Sequence, residues 1–269
     1  MSGHCLGLSV LLSFALAVMP KLAGATDACQ HLTATGNPDY PPYLWRDPHD
    51  PGRLIGANAD LLKQVAKELG LVVDVVYVGP WSRAQEEVNT GRVDMLAGYF
   101  RTQAREQLVD FVSPPFLFNS SVVWVRKGEG FAYSDWSDLK GRRGGTLVNN
   151  SHGQAFDDYA RAQLVLEAVP SVTQAFQKLL LKRSDYVIFE HYPGLALARM
   201  LGKEQALEVL DPPVSSEGLY LALSHKSGCN KPALREQLAR KMKALVGGPL
   251  PEQLVAENLQ RWQRQQTGQ

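Results

Sequence analysis

Charge of one sign is what this chain most plainly lacks. Its 28 Lys and Arg side chains face 27 Asp and Glu, a formal net charge of +1 over 269 residues. Without a basic excess or a basic stripe there is no electrostatic footprint for nucleic acid. Cysteine is scarce too, three in all, and the six histidines are scattered, with no Cys/His spacing that resembles a zinc site. Neither a metal nor another cofactor is therefore expected. Beyond residue 25 no apolar run is long enough to cross a bilayer. What remains is ordinary globular composition, 45% hydrophobic and 20% charged, enough for one large core or two smaller ones.

The first 25 residues differ in kind. Lys21 is their only Lys, Arg, Asp or Glu, residues 6–19 form a short apolar run, and Ala23-Gly24-Ala25 supplies small residues. This is the pattern of a secretory signal cleaved after Ala25, and a periplasmic destination follows. Cys5 would leave with the signal, so the mature chain keeps Cys29 and Cys229. In an oxidising compartment an even pair favours a disulfide, with two free thiols as the alternative.

From there, short apolar runs alternate with helical patterns. A strand over 31–35 runs into the proline-rich turn Asn37-Pro38-Asp39-Tyr40-Pro41-Pro42-Tyr43. Asp60 is placed to cap a helix whose apolar face is Leu61, Leu62, Val65, Ala66 and Leu69, with Gly70 at its end. A strand over 71–78, a helix over 81–90 stopped by Gly91 and a strand over 93–97 complete one round. The order strand, helix, strand, helix, strand specifies a parallel sheet with helices on its faces. Its ligands sit beyond the carboxyl ends of the strands.

A strand over 122–125 then leads into a second round. Strands over 145–148, 164–168 and 186–189 alternate with helices capped by Ser151, by Ser171 and starting near Tyr192. The remaining elements, a strand over 219–223 and helices over 231–246 and 252–263, are too few for a core of their own. They are expected to return to the first half. The chain would then cross between two lobes twice, near 118–122 and near 213–218, forming a two-strand hinge. The expected division is signal 1–25, first lobe 26–118, second lobe 119–213 and a return to the first lobe over 214–269.

Five segments in order carry a resemblance to a known family: Tyr40-Pro41-Pro42-Tyr43; residues 56–62; Gly91-Arg92-Val93-Asp94; Arg105 with Asp110-Phe111-Val112-Ser113-Pro114-Pro115-Phe116; and Asp138-Leu139-Lys140-Gly141. Each is weak alone, but together they resemble the family 3 extracellular solute-binding proteins, the polar amino-acid receptors of bacterial ABC importers. The resemblance implies an α/β, two-lobed periplasmic-binding-protein type II (Venus flytrap) fold. It also implies a monomer that captures a small carboxylate-bearing ligand for a membrane permease and does no chemistry on it.

The same resemblance implies roles for particular residues. Arg105 matches a guanidinium that clamps a ligand carboxylate, for which paired donors are well suited. Tyr40 and Trp81 match aromatic walls, against the plainer reading that each only packs the core. Gly98 matches a close backbone approach. Ser151 matches a carboxylate contact at a helix N-terminus, where a simple cap is the plainer reading. Glu190, after the apolar strand, matches an ammonium acceptor. Two positions depart from the pattern: Phe100 stands where a hydroxyl residue is usual, and Asn37 where an aspartate often accepts a basic ligand. An alternative function on the same fold is a periplasmic cyclohexadienyl-type dehydratase. Its acid would fall a few residues beyond Glu190, near Pro193. A third is a ligand-sensing module for a membrane receptor.

Overall fold

The computed structural model describes Met1 and residues 29–268. The apolar run and cleavage point of the expected signal lie outside the described residues. The strands are β1 His31–Thr35, β2 Asp39–Tyr40, β3 Leu44–Arg46, β4 Leu54–Ile55, β5 Val72–Val75, β6 Met95–Phe100, β7 Val109–Arg126, β8 Arg143–Leu147, β9 Val165–Val169, β10 Tyr186–Glu190 and β11 Leu207–Ser224. The helices are α1 Ala57–Glu68, α2 Trp81–Asn89, α3 Gln103–Glu106, α4 Gln154–Gln163, α5 Val172–Leu180, α6 His191–Met200, α7 Pro232–Val246 and α8 Leu250–Thr267. No described helix is long and apolar enough to cross a membrane.

The main sheet runs β5-β1-β6-β11-β7-β10-β8-β9. At one end β1 pairs parallel with β5 and β6; at the other β8 pairs parallel with β9 and β10. Between these parallel halves run β7 and β11, each 18 residues long and antiparallel to one another. Both strands outrun the short ones expected over 122–125 and 219–223. In the structure Pro212 and Pro213 fall in the register shift between Leu210 and Ser215. Pro114 and Pro115 fall opposite the shift between Leu219 and Leu221. At such bulges the ladder does not need the amide hydrogen that proline lacks. The result is two lobes of one doubly wound pattern joined by two paired strands. One buried cluster runs through both lobes, with Leu32, Leu62, Val65 and Met95 joined to Trp124, Phe176 and Phe189, and a separate centre in the second lobe holds Phe156, Tyr186 and Ile188.

Helix starts depart from expectation in two places. Helix α1 begins at Ala57, with Gly56 as its cap at φ 133°, where a Cβ would run into the Tyr43 carbonyl. Asp60 therefore lies inside the first turn, and its carboxylate accepts from Asn258 Nδ2 of α8 at 2.8 Å. Helix α4 begins at Gln154 behind Gly153, three residues beyond Ser151, which is not its cap. Other signals correspond to what is seen. Gly70 and Gly91 follow their helices at φ 70° and 78°, and Ser171 Oγ accepts from Gln174 N at 3.3 Å at the head of α5.

The chain's end packs back on its beginning. Helices α7 and α8 both contact α1, and Trp262 of α8 meets Trp45 edge-on at 5.4 Å. A disulfide joins Cys29, just before β1, to Cys229, just before α7, across 200 residues of sequence. By loop entropy alone a bond closing so long a loop contributes about 5 kcal/mol.

Candidate functional site

The cavity between the lobes is lined by the carboxyl ends of the parallel strands and the loops that follow them, where the alternating pattern places a site. Asn37 comes from the turn after β1 and Tyr40 from β2. Trp81 opens α2, residues 97–100 end β6, Asn150 follows β8, and Glu190 ends β10; Leu44, Asn58, Arg105 and Leu219 complete the wall. The cavity is small, about 20 Å³, room for about one water. The lobes touch across it: the Asn149 carbonyl accepts from Arg105 Nη2 at 3.3 Å and from Gln85 Nε2 at 3.2 Å, and Gln103 N donates to Gln154 Oε1 at 3.0 Å. This is a closed arrangement, and anything larger than a water enters only when the lobes part.

Arg105 is 8% exposed. Its Nη1 donates to the Phe100 carbonyl at 2.9 Å, and its guanidinium carbon sits 3.9 Å above the Tyr99 ring. Tyr99 is itself fixed, its hydroxyl donating to Gln85 Oε1 at 2.8 Å and its ring meeting Trp81 edge-on at 5.6 Å. A guanidinium has five N–H donors, so the two spent on carbonyls leave three for a ligand. Burial lowers the Arg105 pKa, opposed by Tyr99, Asp157 and Glu190, and arginine stays charged regardless.

Glu190 is the opposite pole. It is 2% exposed and its Oε2 has no hydrogen-bond partner. Burial pushes its pKa up to about 7, against its own backbone amide, the Asn150 side chain and the charge of Arg105, all of which favour the anion. Asn150 lies close enough to favour that anion, and its Nδ2 makes no hydrogen bond to any other group. The Trp81 indole nitrogen and Asn58 Oδ1 are likewise buried without partners. Four of the lining residues thus carry a buried polar atom without a partner, and each such group costs free energy until it is met.

Of the residues singled out from sequence, Tyr40, Trp81, Gly98, Phe100, Arg105 and Glu190 line this cavity, as does Asn37. Tyr40 is held by its hydroxyl, which accepts from Asn119 Nδ2 at 2.6 Å. Gly98, at φ 118°, is needed for a neighbour: a Cβ there would run into the Asn58 amide, which donates to the Ala97 carbonyl at 2.7 Å. Ser151 lies outside the cavity, in a polar groove at its mouth with Thr102, Arg105 and Asp157. Its hydroxyl is bound to the Asp157 carboxylate. Asn58, Tyr99 and Asn150 were not singled out as site residues. Tyr99 and Asn150 each sit beside a residue that was, at the carboxyl end of a strand, which is the signal that could have found them.

Taken together, the two lobes, the paired crossing strands and a polar cavity enclosed between the lobes define a two-lobed periplasmic-type binding protein. The sequence profile of the bacterial extracellular solute-binding proteins, family 3, matches residues 32–248, and this chain belongs to that family. Helix α8 lies beyond the matched segment. The L-cystine-binding protein TcyA of Bacillus subtilis (strain 168) is 27% identical over 154 residues, 57% of this chain and 55% of that protein, so the match spans little more than half of TcyA.

Among solved structures, the amino acid ABC transporter substrate-binding protein AbpA from Streptococcus pneumoniae Canada MDR_19A, bound to L-arginine, is 20% identical. It superposes with a TM-score of 0.69 over 88% of this chain and 97% of its own. A histidine kinase sensor domain with similarity to periplasmic binding proteins is 22% identical, with a TM-score of 0.71 over 87% and 97%. At these identities the likeness establishes the fold alone.

Proposed function

We propose that this protein captures a small amino acid, or a closely related carboxylate, between its lobes in the periplasm and presents it to the membrane permease of an ABC importer. The observation that carries this reading is the pair Arg105 and Glu190, a buried cation and a buried carboxyl with a bare oxygen lining one cavity. The guanidinium takes the ligand carboxylate, Glu190 takes the ammonium, and Tyr40, Trp81 and Phe100 wall off the aliphatic part. A ligand held by both lobes stabilises the closed form through its differential affinity for it. TcyA by name binds an amino acid and AbpA was captured with one, which supports the class without naming this ligand.

The test is calorimetric titration and thermal shift with the common amino acids. At one hundred times its dissociation constant, a ligand stabilises the fold by about 2.7 kcal/mol. Arg105→Ala is expected to abolish that gain. An undiminished response in the variant would assign the clamp to the wrong residue.

One observation favours a second reading. A buried carboxyl with a pKa near 7 is suited to donate a proton, as a dehydratase requires. Under that reading the acid is Glu190 itself, because Pro193, where the resemblance would place it, is a buried residue of α6 that cannot titrate. Product formation from prephenate that disappears in Glu190→Gln would replace the binding reading with this one.

A further inference from the structure

The cavity wall carries more information than the two charges at its poles. Among its lining residues Arg105 and Glu190 are the only Lys, Arg, Asp or Glu side chains. Their opposite charges match the carboxylate and ammonium of an amino acid and leave no formal charge for its side chain. Asn37, beside them, has Oδ1 committed to the Asp39 amide at 3.0 Å and offers an amide where a carboxylate would be needed to hold a basic group.

The unpaired atoms sharpen this. Glu190 Oε2 and Asn58 Oδ1 lack partners, as do the Trp81 indole N–H and Asn150 Nδ2. The ligand ammonium answers Glu190, beside which the Asn150 side chain already lies, and its carboxylate answers Arg105. What is left is one acceptor, on Asn58, and one donor, on Trp81. A lysine or arginine side chain only donates, so it would leave the indole N–H unmet and its own charge unbalanced. An aspartate or glutamate side chain only accepts, leaving Asn58 unmet and bringing a second carboxylate toward Glu190. An aliphatic side chain would leave both unmet. Each such mismatch strands a buried polar group, the kind of penalty that separates near-isosteric ligands most sharply.

From this wall we infer that the ligand is an amino acid whose side chain ends in an uncharged group that both donates and accepts a hydrogen bond, a carboxamide or a hydroxyl. The inference rests on the proposed amino-acid binding and narrows it. It also sets this chain apart from the arginine-bound relatives whose fold it shares.

The experiment is a titration of the purified protein with glutamine, asparagine, serine, threonine, arginine, lysine, glutamate and leucine. At least one of the first four should bind about tenfold or more tighter than each of the last four, the fold-change expected from one unpaired buried group. Tighter binding of arginine, lysine, glutamate or leucine would overturn the inference while leaving amino-acid capture standing. No binding by any of the eight would overturn the inference, and no binding by any of the remaining common amino acids either would overturn amino-acid capture itself.

Asn37→Asp supplies an independent check, since an aspartate can accept from the Asp39 amide just as the asparagine does. With a second carboxylate in the wall, affinity for arginine relative to glutamine is expected to rise about tenfold or more, on the scale of discrimination by an added buried charge partner. An unchanged ratio would show that the charge count at Asn37 does not set the preference.

Discussion

Two buried titratable side chains of the second lobe, His152 and Glu190, are about equally hidden, at 3% and 2% exposure. They are treated in opposite ways. His152 is saturated: Nδ1 is bonded to Ser121 Oγ at 3.1 Å and Nε2 to Thr146 Oγ1 at 2.8 Å, and its ring packs edge-on against Phe156. Burial, reinforced by the nearby Arg105, lowers its pKa to about 3, so it is a neutral imidazole serving as a packing and tethering piece. Glu190 keeps one oxygen bare and faces the cavity. The fold completes the hydrogen bonding of His152 and leaves that of Glu190 incomplete, the group that a guest would complete under the proposed function.

Removing the saturated group should do the most damage. His152→Ala opens a void and strands two hydroxyls, and is expected to cost about 4 kcal/mol in urea unfolding. Ligand affinity in the folded fraction should move much less than in Arg105→Ala. A loss below about 1 kcal/mol would break the contrast by showing that the histidine tethers nothing.

Glu190→Gln should behave in the reverse sense. The folded-state pKa of Glu190 is raised to about 7 from 4.5, so the wild type loses stability as pH climbs from about 4.5 through 7. The loss is about 3 kcal/mol, and the amide variant escapes it. At pH 8 without ligand, Glu190→Gln should therefore melt higher than wild type, while at pH 4 the two should nearly coincide. Its response to ligand should be lost. His152 acts oppositely: with its folded-state pKa depressed, its share of stability disappears as pH falls from about 6.5 toward 3. In the wild type these slopes oppose one another between about 4.5 and 6.5. In Glu190→Gln the histidine contribution is no longer opposed by Glu190, so stability should rise more steeply with pH there than in the wild type. A slope unchanged from the wild type would refute the pairing.

The smallest effect is expected at Ser151. Its hydroxyl is engaged with Asp157 and accepts from Gly153 N at 3.2 Å, outside the cavity. Ser151→Ala should cost about 1 kcal/mol of stability. Its ligand affinity should change by less than about threefold, well under the effect of losing a direct polar contact. A larger loss of affinity would move Ser151 to Glu190's side of the comparison.

The segments that made the family legible in sequence are mostly structural. Asp94 receives the Thr33 amide and hydroxyl, each at 2.8 Å, and the Ser227 hydroxyl at 2.6 Å, tying β1, β6 and the segment after β11 together. Gly91 turns where a Cβ would run into Lys226. Asp138 closes a capping box with Asp135 on the short 3₁₀ turn Trp136–Leu139. These residues are recognisable because backbone geometry demands them at fixed spacing.

The cavity wall was legible only in part. Arg105, Tyr40, Trp81 and Glu190 are conspicuous residue types at strand ends or helix starts. Asn58 is hidden as a buried polar residue on the apolar face of α1, and Asn150 as one more polar residue in a loop. Their importance comes from unpaired atoms, a property of three-dimensional neighbours that linear spacing does not carry. The two misplaced helix starts have a related cause. Glycines at positive φ, Gly56 and Gly153, began those helices in preference to the nearby Asp60 and Ser151, which offered better capping chemistry by type.

Phe118 of β7 and Gly218 of β11 are cross-strand partners in one ladder. Everything between them, a hundred residues in round numbers, is thus a detour that departs from one point of the first lobe and comes back to the same point. A short turn joining the two positions would reconnect the remaining chain without stretching it. The Cys29–Cys229 bond would still fasten that remnant's beginning to the stretch before α7. The second lobe is therefore an insertion between two paired points of the first, but not a detached one, since Ala196 of α6 shares a buried cluster with Trp45 and Trp262.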